Sequence, residues 1–138
     1  CYTSVYGHTK EAALYLCEKL KEKGETAEVF DLARCDMSEA VESAFRYGKL
    51  VLATTTYNGD MFPFMKDFIA HLVDHAYQNR TVALVENGSW APTAANCMRN
   101  ALSHLKNITY TENSVTITGA VNETVTEKLD ALAEELCK

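Results

Sequence analysis

None of the five cysteines, Cys1, Cys17, Cys35, Cys97 and Cys137, belongs to a CxxC pair, and their number is odd. Free thiols of this kind point to a reducing, cytoplasmic setting. The chain has no apolar run long enough to span a membrane, and no signal-peptide pattern. It also lacks a basic excess. Thirteen Lys and Arg stand against nineteen Asp and Glu, for a net charge of −6. A non-specific nucleic-acid binder carries a basic face, so that class is disfavoured. An acidic surface suits a basic protein partner, or nothing beyond solubility. The four histidines are dispersed. His71 and His75 lie one helical turn apart but lack a third ligand nearby, so no metal site is expected. Low-complexity segments, internal repeats and long linkers are absent. The 138 residues, 47% hydrophobic and 23% charged, therefore suit one soluble domain with a sizeable core.

What the chain does have is alternation. "CYT" starts a short strand. Thr9–Lys23 places Ala12, Ala13, Leu16, Cys17 and Leu20 on one helical face, and Gly24 stops it. "TAEVFDL" (26–32) reads as a strand. Asp36 with Glu39 forms a capping box for a helix to about Tyr47. "KLVLA" (49–53) and "TVALV" (81–85) read as buried parallel strands. Between them, Pro63 opens a helix with Met65, Phe68, Ile69, Leu72 and Val73 at helical spacing. A further helix, from about Thr93 to Leu105, buries Ala94, Cys97, Met98, Ala101 and Leu102. "VTITG" (115–119) is the last strand. Thr124 and Glu127 make a second capping box, before a helix that buries Val125, Leu129, Leu132 and Leu136. Strands alternating with helices predict an α/β fold, a three-layer α/β/α sandwich around a five-stranded parallel sheet. This length suits the doubly wound order 2-1-3-4-5, with ligands bound beyond the carboxyl ends of the strands.

Three loops lie at that edge. "TSVYGHT" offers hydroxyls at Thr3, Ser4 and Thr9 and backbone N–H groups around Gly7, and it opens onto a helix N-terminus. Such a turn holds a phosphate without a cation; it is equally an ordinary helix-capping turn. It contains neither GxxxxGK[ST] nor GxGxxG, which excludes a P-loop NTPase and a dinucleotide fingerprint. "TTTYNGDMFP" and "ENGSWAP" each carry one large aromatic, Tyr57 and Trp90, beside an Asn-Gly turn. Each ring alone is an ordinary half-exposed aromatic. Together, next to a phosphate-type loop, they suit a flat ligand with a phosphate tail.

On "VYGHT", "TYNGDMFP" and "GSW", and on the element order of nearly the whole chain, the sequence resembles the flavodoxin family. More narrowly, it resembles the flavodoxin domain of flavodiiron proteins, the A-type flavoproteins. The resemblance implies FMN on the three loops. Thr3, Ser4, Val5, Tyr6, Gly7, His8 and Thr9 would hold the phosphate, several of them through backbone N–H. Thr54, Thr55, Thr56, Tyr57, Asn58 and Gly59 would line the ribityl chain and one ring edge. Asn87, Gly88, Ser89 and Trp90 would line the other, with Trp90 packed on the ring. Val5, Tyr6 and His8 depart from the family's usual first loop, and Glu86 stands where a Gly is common. Asp60 and Glu86 are expected to add negative charge near the flavin and lower its final potential.

The implied role is electron transfer, with no catalytic side chain. In the flavodiiron family, FMN passes electrons to a diiron centre that reduces O2 or NO. That centre lies in a separate β-lactamase-like domain, and this chain lacks its H-x-E-x-D motif. Residues 1–138 would then be one FMN-binding domain of a longer polypeptide, inactive on O2 or NO by itself. Its partner would be a redox protein or a diiron domain. Two rivals stand beside this. A flavodoxin-like NAD(P)H or quinone oxidoreductase needs a second-substrate pocket, for which the short loops leave little material. A flavin-free receiver-type module needs a phosphoacceptor Asp where Thr54, Thr55 and Thr56 stand.

Overall fold

The computed structural model describes residues 1–3, 7–57, 60–88, 94–103, 105–117 and 121–137, with Tyr57 and Asp60 described by backbone alone. The elements run α1 (His8–Glu22), α2 (Met37–Arg46), β1 (Lys49–Tyr57), β2 (Asp60–Met61), α3 (Pro63–Asp74), β3 (Arg80–Asn87), α4 (Ala94–Ala101), β4 (Ile108–Tyr110), β5 (Val115–Ile117) and α5 (Glu123–Leu136).

β1 and β3 form the centre of the sheet. They pair in parallel from Lys49 opposite Thr81 to Thr55 opposite Asn87. Both are apolar through the middle, as a strand covered on both faces must be. Each runs further than the apolar pattern predicts. Thr54, Thr55 and Thr56 continue β1, and Glu86 and Asn87 continue β3, where loops are expected. Threonine is β-branched and suits the pleat, so the ladder carries on into polar sequence.

The edges are more irregular than expected. Single parallel bridges, Tyr2 to Asp31 and Tyr2 to Ala53, stand where the first two strands are expected. The segment 26–30 has no regular strand: the Phe30 carbonyl accepts from the Tyr2 N–H at 3.0 Å and the Leu32 N–H donates to the Tyr2 carbonyl at 3.0 Å, which makes a bridge rather than a ladder. The opposite side of β3 carries two short strands instead of one. β4 pairs with its start, Arg80–Val82, and β5 with its end, Val85–Asn87. β2 folds back on the end of β1 as a small antiparallel hairpin. β5 ends at Ile117, and the rest of the expected strand, Thr118 and Gly119, lies outside the described residues.

Two apolar layers cover the sheet. On one face Leu50, Leu52, Val82 and Leu84 pack with α2, α3 and α4. On the other, Ala53, Ala83 and Val85 pack with α1 and α5. The helical stripes match their spacing at Ala12, Leu16 and Cys17, at Met65, Phe68, Ile69 and Leu72, and at Val125, Leu129, Leu132 and Leu136. Val73 falls off its stripe and is exposed. α4 is shorter than expected and ends at Ala101, with Leu102 buried just beyond it. Asp36 caps α2, accepting from the Ser38 N–H at 2.9 Å. For α5 the cap is Asn122, not Thr124: its side-chain oxygen accepts from Val125 N–H at 3.0 Å, the third helical residue. Among the described residues, no helix is long and apolar enough to cross a membrane.

Candidate functional site at the carboxyl edge

The strands β1 and β3 end side by side, and their last residues are polar. Thr54 lies opposite Glu86, and Thr55 opposite Asn87. Thr3 arrives beside them because its N–H donates to the Ala53 carbonyl at 3.0 Å. The hydroxyls of Thr3 and Thr54 are 2.6 Å apart, and both residues are fully buried. In the first turn of α1, the hydroxyl of buried Thr9 lies 3.2 Å from that of Thr55. Four threonines from three segments thus form a hydroxyl-lined floor. Each can donate or accept, so the floor tolerates burial without a net charge.

Above this floor α1 begins. Its N-cap is Gly7 at φ 88, in the left-handed region, and no described side chain caps it. His8, half-buried, is its first residue. Glu11 is the acidic residue of its first turn, and the N-terminus presents the positive end of the helix dipole. α3 starts on Pro63, which has no N–H to offer. α4 is different, because its end is already taken. The Ala94 N–H donates to Thr56 Oγ1 at 3.4 Å, and the Ala95 N–H to the Glu86 carboxylate at 2.5 Å. The other Glu86 oxygen accepts from the Thr116 hydroxyl at 3.2 Å.

The structure thus brings together Thr3, Thr9, Thr54, Thr55 and Thr56, with Gly7, His8, the Tyr57 backbone, Asn87 and Gly88 around them. Asn87 is buried at the end of β3, and the Gly88 N–H donates to the Ile117 carbonyl at 3.0 Å. Ser4, Val5, Tyr6, Asn58, Gly59, Ser89 and Trp90 lie outside the described residues. Glu86 is not the loop residue expected from the sequence. It is a buried strand residue held by two hydrogen bonds. Its partner Thr116 has no sequence signal, since a half-buried threonine in a short strand looks like any other. Among the described residues no three His, Cys, Asp or Glu come together to hold a metal.

A hydroxyl-lined floor beneath a helix N-terminus fits a phosphate-bearing cofactor. The residues are neutral donors and acceptors, and the positive helix end supplies the attraction. Comparison with solved structures places this arrangement in a known fold. The chain superposes with a TM-score of 0.90 on the rubredoxin oxygen:oxidoreductase of Desulfovibrio gigas, at 16% identity over 97% of this chain and 33% of that one. It matches the flavodiiron protein of Giardia intestinalis at 0.86, with 17% identity over 99% of this chain and 35% of that one. For the oxidised Flavodoxin 1 of Bacillus cereus the values are 0.83 and 16%, over 99% of this chain and 93% of that one. The chain thus spans about a third of the two larger proteins and nearly all of the flavodoxin. No curated protein matches it. The model of the flavodoxin domain matches residues 1–133. The chain belongs to the flavodoxin family, and FMN is the cofactor that this membership implies.

Proposed function

We propose that this chain is an FMN-binding electron-transfer module of flavodiiron type, working within or delivering electrons to an oxygen- or nitric-oxide-reducing diiron protein. The observation that carries the cofactor assignment is the threonine floor beneath the N-terminus of α1. The flavodiiron placement is supported by the TYNGDMFP stretch and by the likeness to two proteins of which this chain spans about a third.

Gly7, His8 and Thr9, with Thr3 and the Ser4–Tyr6 stretch, would hold the phosphate. Thr54 to Gly59 would line one side of the remaining cofactor, and Asn87 to Trp90 the other. When bound, FMN supplies the redox chemistry, accepting and releasing electrons singly or in pairs. The chain's own work is to bind and orient. The helix end attracts the phosphate, and the hydroxyls of Thr9 and Thr55 offer or take hydrogen bonds as required. The Thr3–Thr54 contact fixes the two strand ends relative to each other. The partner is a diiron domain, in the same polypeptide or in a separate protein.

Flavin titration tests the cofactor assignment. FMN should bind more tightly than riboflavin, and Thr9→Val should narrow that gap by weakening FMN. Equal affinity for both flavins would remove the phosphate site. Electron delivery is tested by mixing the reduced, FMN-loaded chain with a diiron protein stripped of its own flavodoxin domain. Oxygen consumption no faster than with free FMN would remove the flavodiiron role.

A further inference from the structure

Glu86 is the one acidic side chain in the polar end of the two central strands, and it is buried. Its neighbours toward the start of β3, Val82 to Val85, are apolar and buried. A carboxylate in such a place is costly unless its oxygens are fully engaged. Both are. One accepts from Ala95 N–H at 2.5 Å, and the other from the Thr116 hydroxyl at 3.2 Å. The three residues come from β3, α4 and β5, nine and thirty positions apart in sequence. Ala95 is the second residue of α4, the position that an N-cap side chain ordinarily serves. Here the cap is supplied across space by the neighbouring strand. Thr56, at the end of β1, adds a longer contact to the first residue of the same helix.

We propose that Glu86 is a positioning residue for the cofactor site: it ties the N-terminus of α4 to the ends of β3 and β5, and so sets how far α4 stands from Asn87 and Gly88. This rests on the FMN assignment above. Asn87 follows Glu86 directly in the chain, so the tie fixes both the strand end that borders the cofactor and the helix start opposite it. The role is played through hydrogen bonds. A glutamine retains it, because its amide oxygen can accept from Ala95 N–H while its NH2 donates to the Thr116 hydroxyl. An alanine cannot do either.

The experiment compares Glu86→Gln and Glu86→Ala with the parent chain, using two readouts. The first is amide hydrogen exchange at Ala95 in flavin-free protein. Protection should fall in Glu86→Ala and persist in Glu86→Gln. The second is FMN affinity. Glu86→Ala should weaken it about tenfold, equivalent to about 1.4 kcal/mol, and Glu86→Gln should stay within about threefold of the parent. Thr116→Val, which removes one of the two ties without touching Glu86, should fall between them. Unchanged Ala95 exchange in Glu86→Ala overturns the proposal. So does a Glu86→Gln variant as weak as Glu86→Ala, which would assign the effect to charge. If Ala95 exchange follows residue 86 but the parent chain binds no FMN, the tie stands and the FMN assignment falls.

Discussion

The two ends of the sheet treat helix termini in opposite ways. At the amino end, helices finish and their carbonyls face inward. Arg80, the first residue of β3, donates to the Phe45 carbonyl at 2.8 Å and the Tyr47 carbonyl at 2.9 Å, closing the end of α2. Lys49, the first residue of β1, donates through Nζ to the Leu136 carbonyl at the end of α5. Cations thus meet negative dipole ends. At the carboxyl end, helices begin. Glu86 meets the start of α4, while α1 starts without a described side-chain cap. One end is closed by the chain's own charges; at the other, no described side chain caps α1, the terminus proposed above to take the FMN phosphate. The packing differs too. The amino end holds a cavity of about 350 Å3 lined by Leu16, Leu20, Phe30 and Leu50 and by the polar Glu28, Ser43 and Lys49, among others. The carboxyl end has a polar floor of paired hydroxyls.

The largest effect that sharpens this contrast lies along β1 itself. Leu52 is fully buried, whereas Leu50, on the same face, lines the cavity. Truncation removes fewer packing contacts where one side is already empty. Leu52→Ala should lower stability by about 4 kcal/mol, and Leu50→Ala by about 2.5 kcal/mol. Urea unfolding at constant m-value measures both. Equal losses would mean that the cavity does not relieve its lining.

The next effect is at the carboxyl end. Thr54→Val preserves shape but leaves the buried Thr3 hydroxyl without its partner at 2.6 Å. The expected loss is about 2 kcal/mol, because an orphaned buried donor costs more than a missing bond. Adding Thr3→Val to the same protein should recover part of that loss. A double variant less stable than Thr54→Val alone would show that the pair is not coupled as its geometry implies.

Much of this was legible in the sequence, and what was not has physical causes. The helical stripes at Met65, Phe68, Ile69 and Leu72 and at Val125, Leu129, Leu132 and Leu136 follow from 3.6-residue spacing. The site threonines were legible by position, since they follow an apolar run that must be a central strand. Their continuation of that strand was not, because hydroxyls after an apolar run resemble a loop. β4 has no sequence signal, because three residues carry too little alternation to be distinguished from a turn. At the start of α5, Asn122 and Thr124 are both good caps, and only backbone geometry chooses between them. The role of Glu86 depends on Ala95 and Thr116, and no local pattern reports such a contact.

Among the described residues, the buried side-chain polar atom that lacks a partner lies at the amino end. The Tyr77 hydroxyl is buried with no hydrogen-bond partner among the described residues, while its ring packs edge-on against Phe45 and lies under Arg80. Burial pushes its phenol up to about 12, against a smaller opposing pull from Arg80. The folded state therefore favours the neutral phenol more than the unfolded chain does. That contribution is fully present below pH 10 and is lost as pH rises through about 12. Tyr77→Phe removes the orphaned hydroxyl and this dependence together. It should raise stability by about 1.5 kcal/mol at neutral pH and flatten the alkaline decline. Melting temperature from pH 7 upward checks both parts, and a less stable Tyr77→Phe would show that the hydroxyl has a partner.

The smallest effect separates the two ends with one kind of substitution. Gly7 and Gly48 stand at the carboxyl and amino ends, and among the described residues beyond its chain neighbours a Cβ on either would meet no atom within 4 Å. Crowding therefore does not distinguish them. Backbone conformation does. Gly7 has φ +88, where an L side chain is strained, while the φ of Gly48 lies outside the positive region. Gly7→Ala should cost about 1 kcal/mol. It should also weaken FMN, because relaxing that φ shifts the first N–H groups of α1. Gly48→Ala should instead gain about 0.5 kcal/mol, since alanine restricts the unfolded chain more than glycine does. It should leave FMN affinity unchanged, as Gly48 lies across the sheet from the site. Paired urea and flavin titrations on both variants read the signs directly. The same sign of stability change at both positions would remove the backbone argument at Gly7, and unchanged FMN affinity in Gly7→Ala would detach that turn from the phosphate.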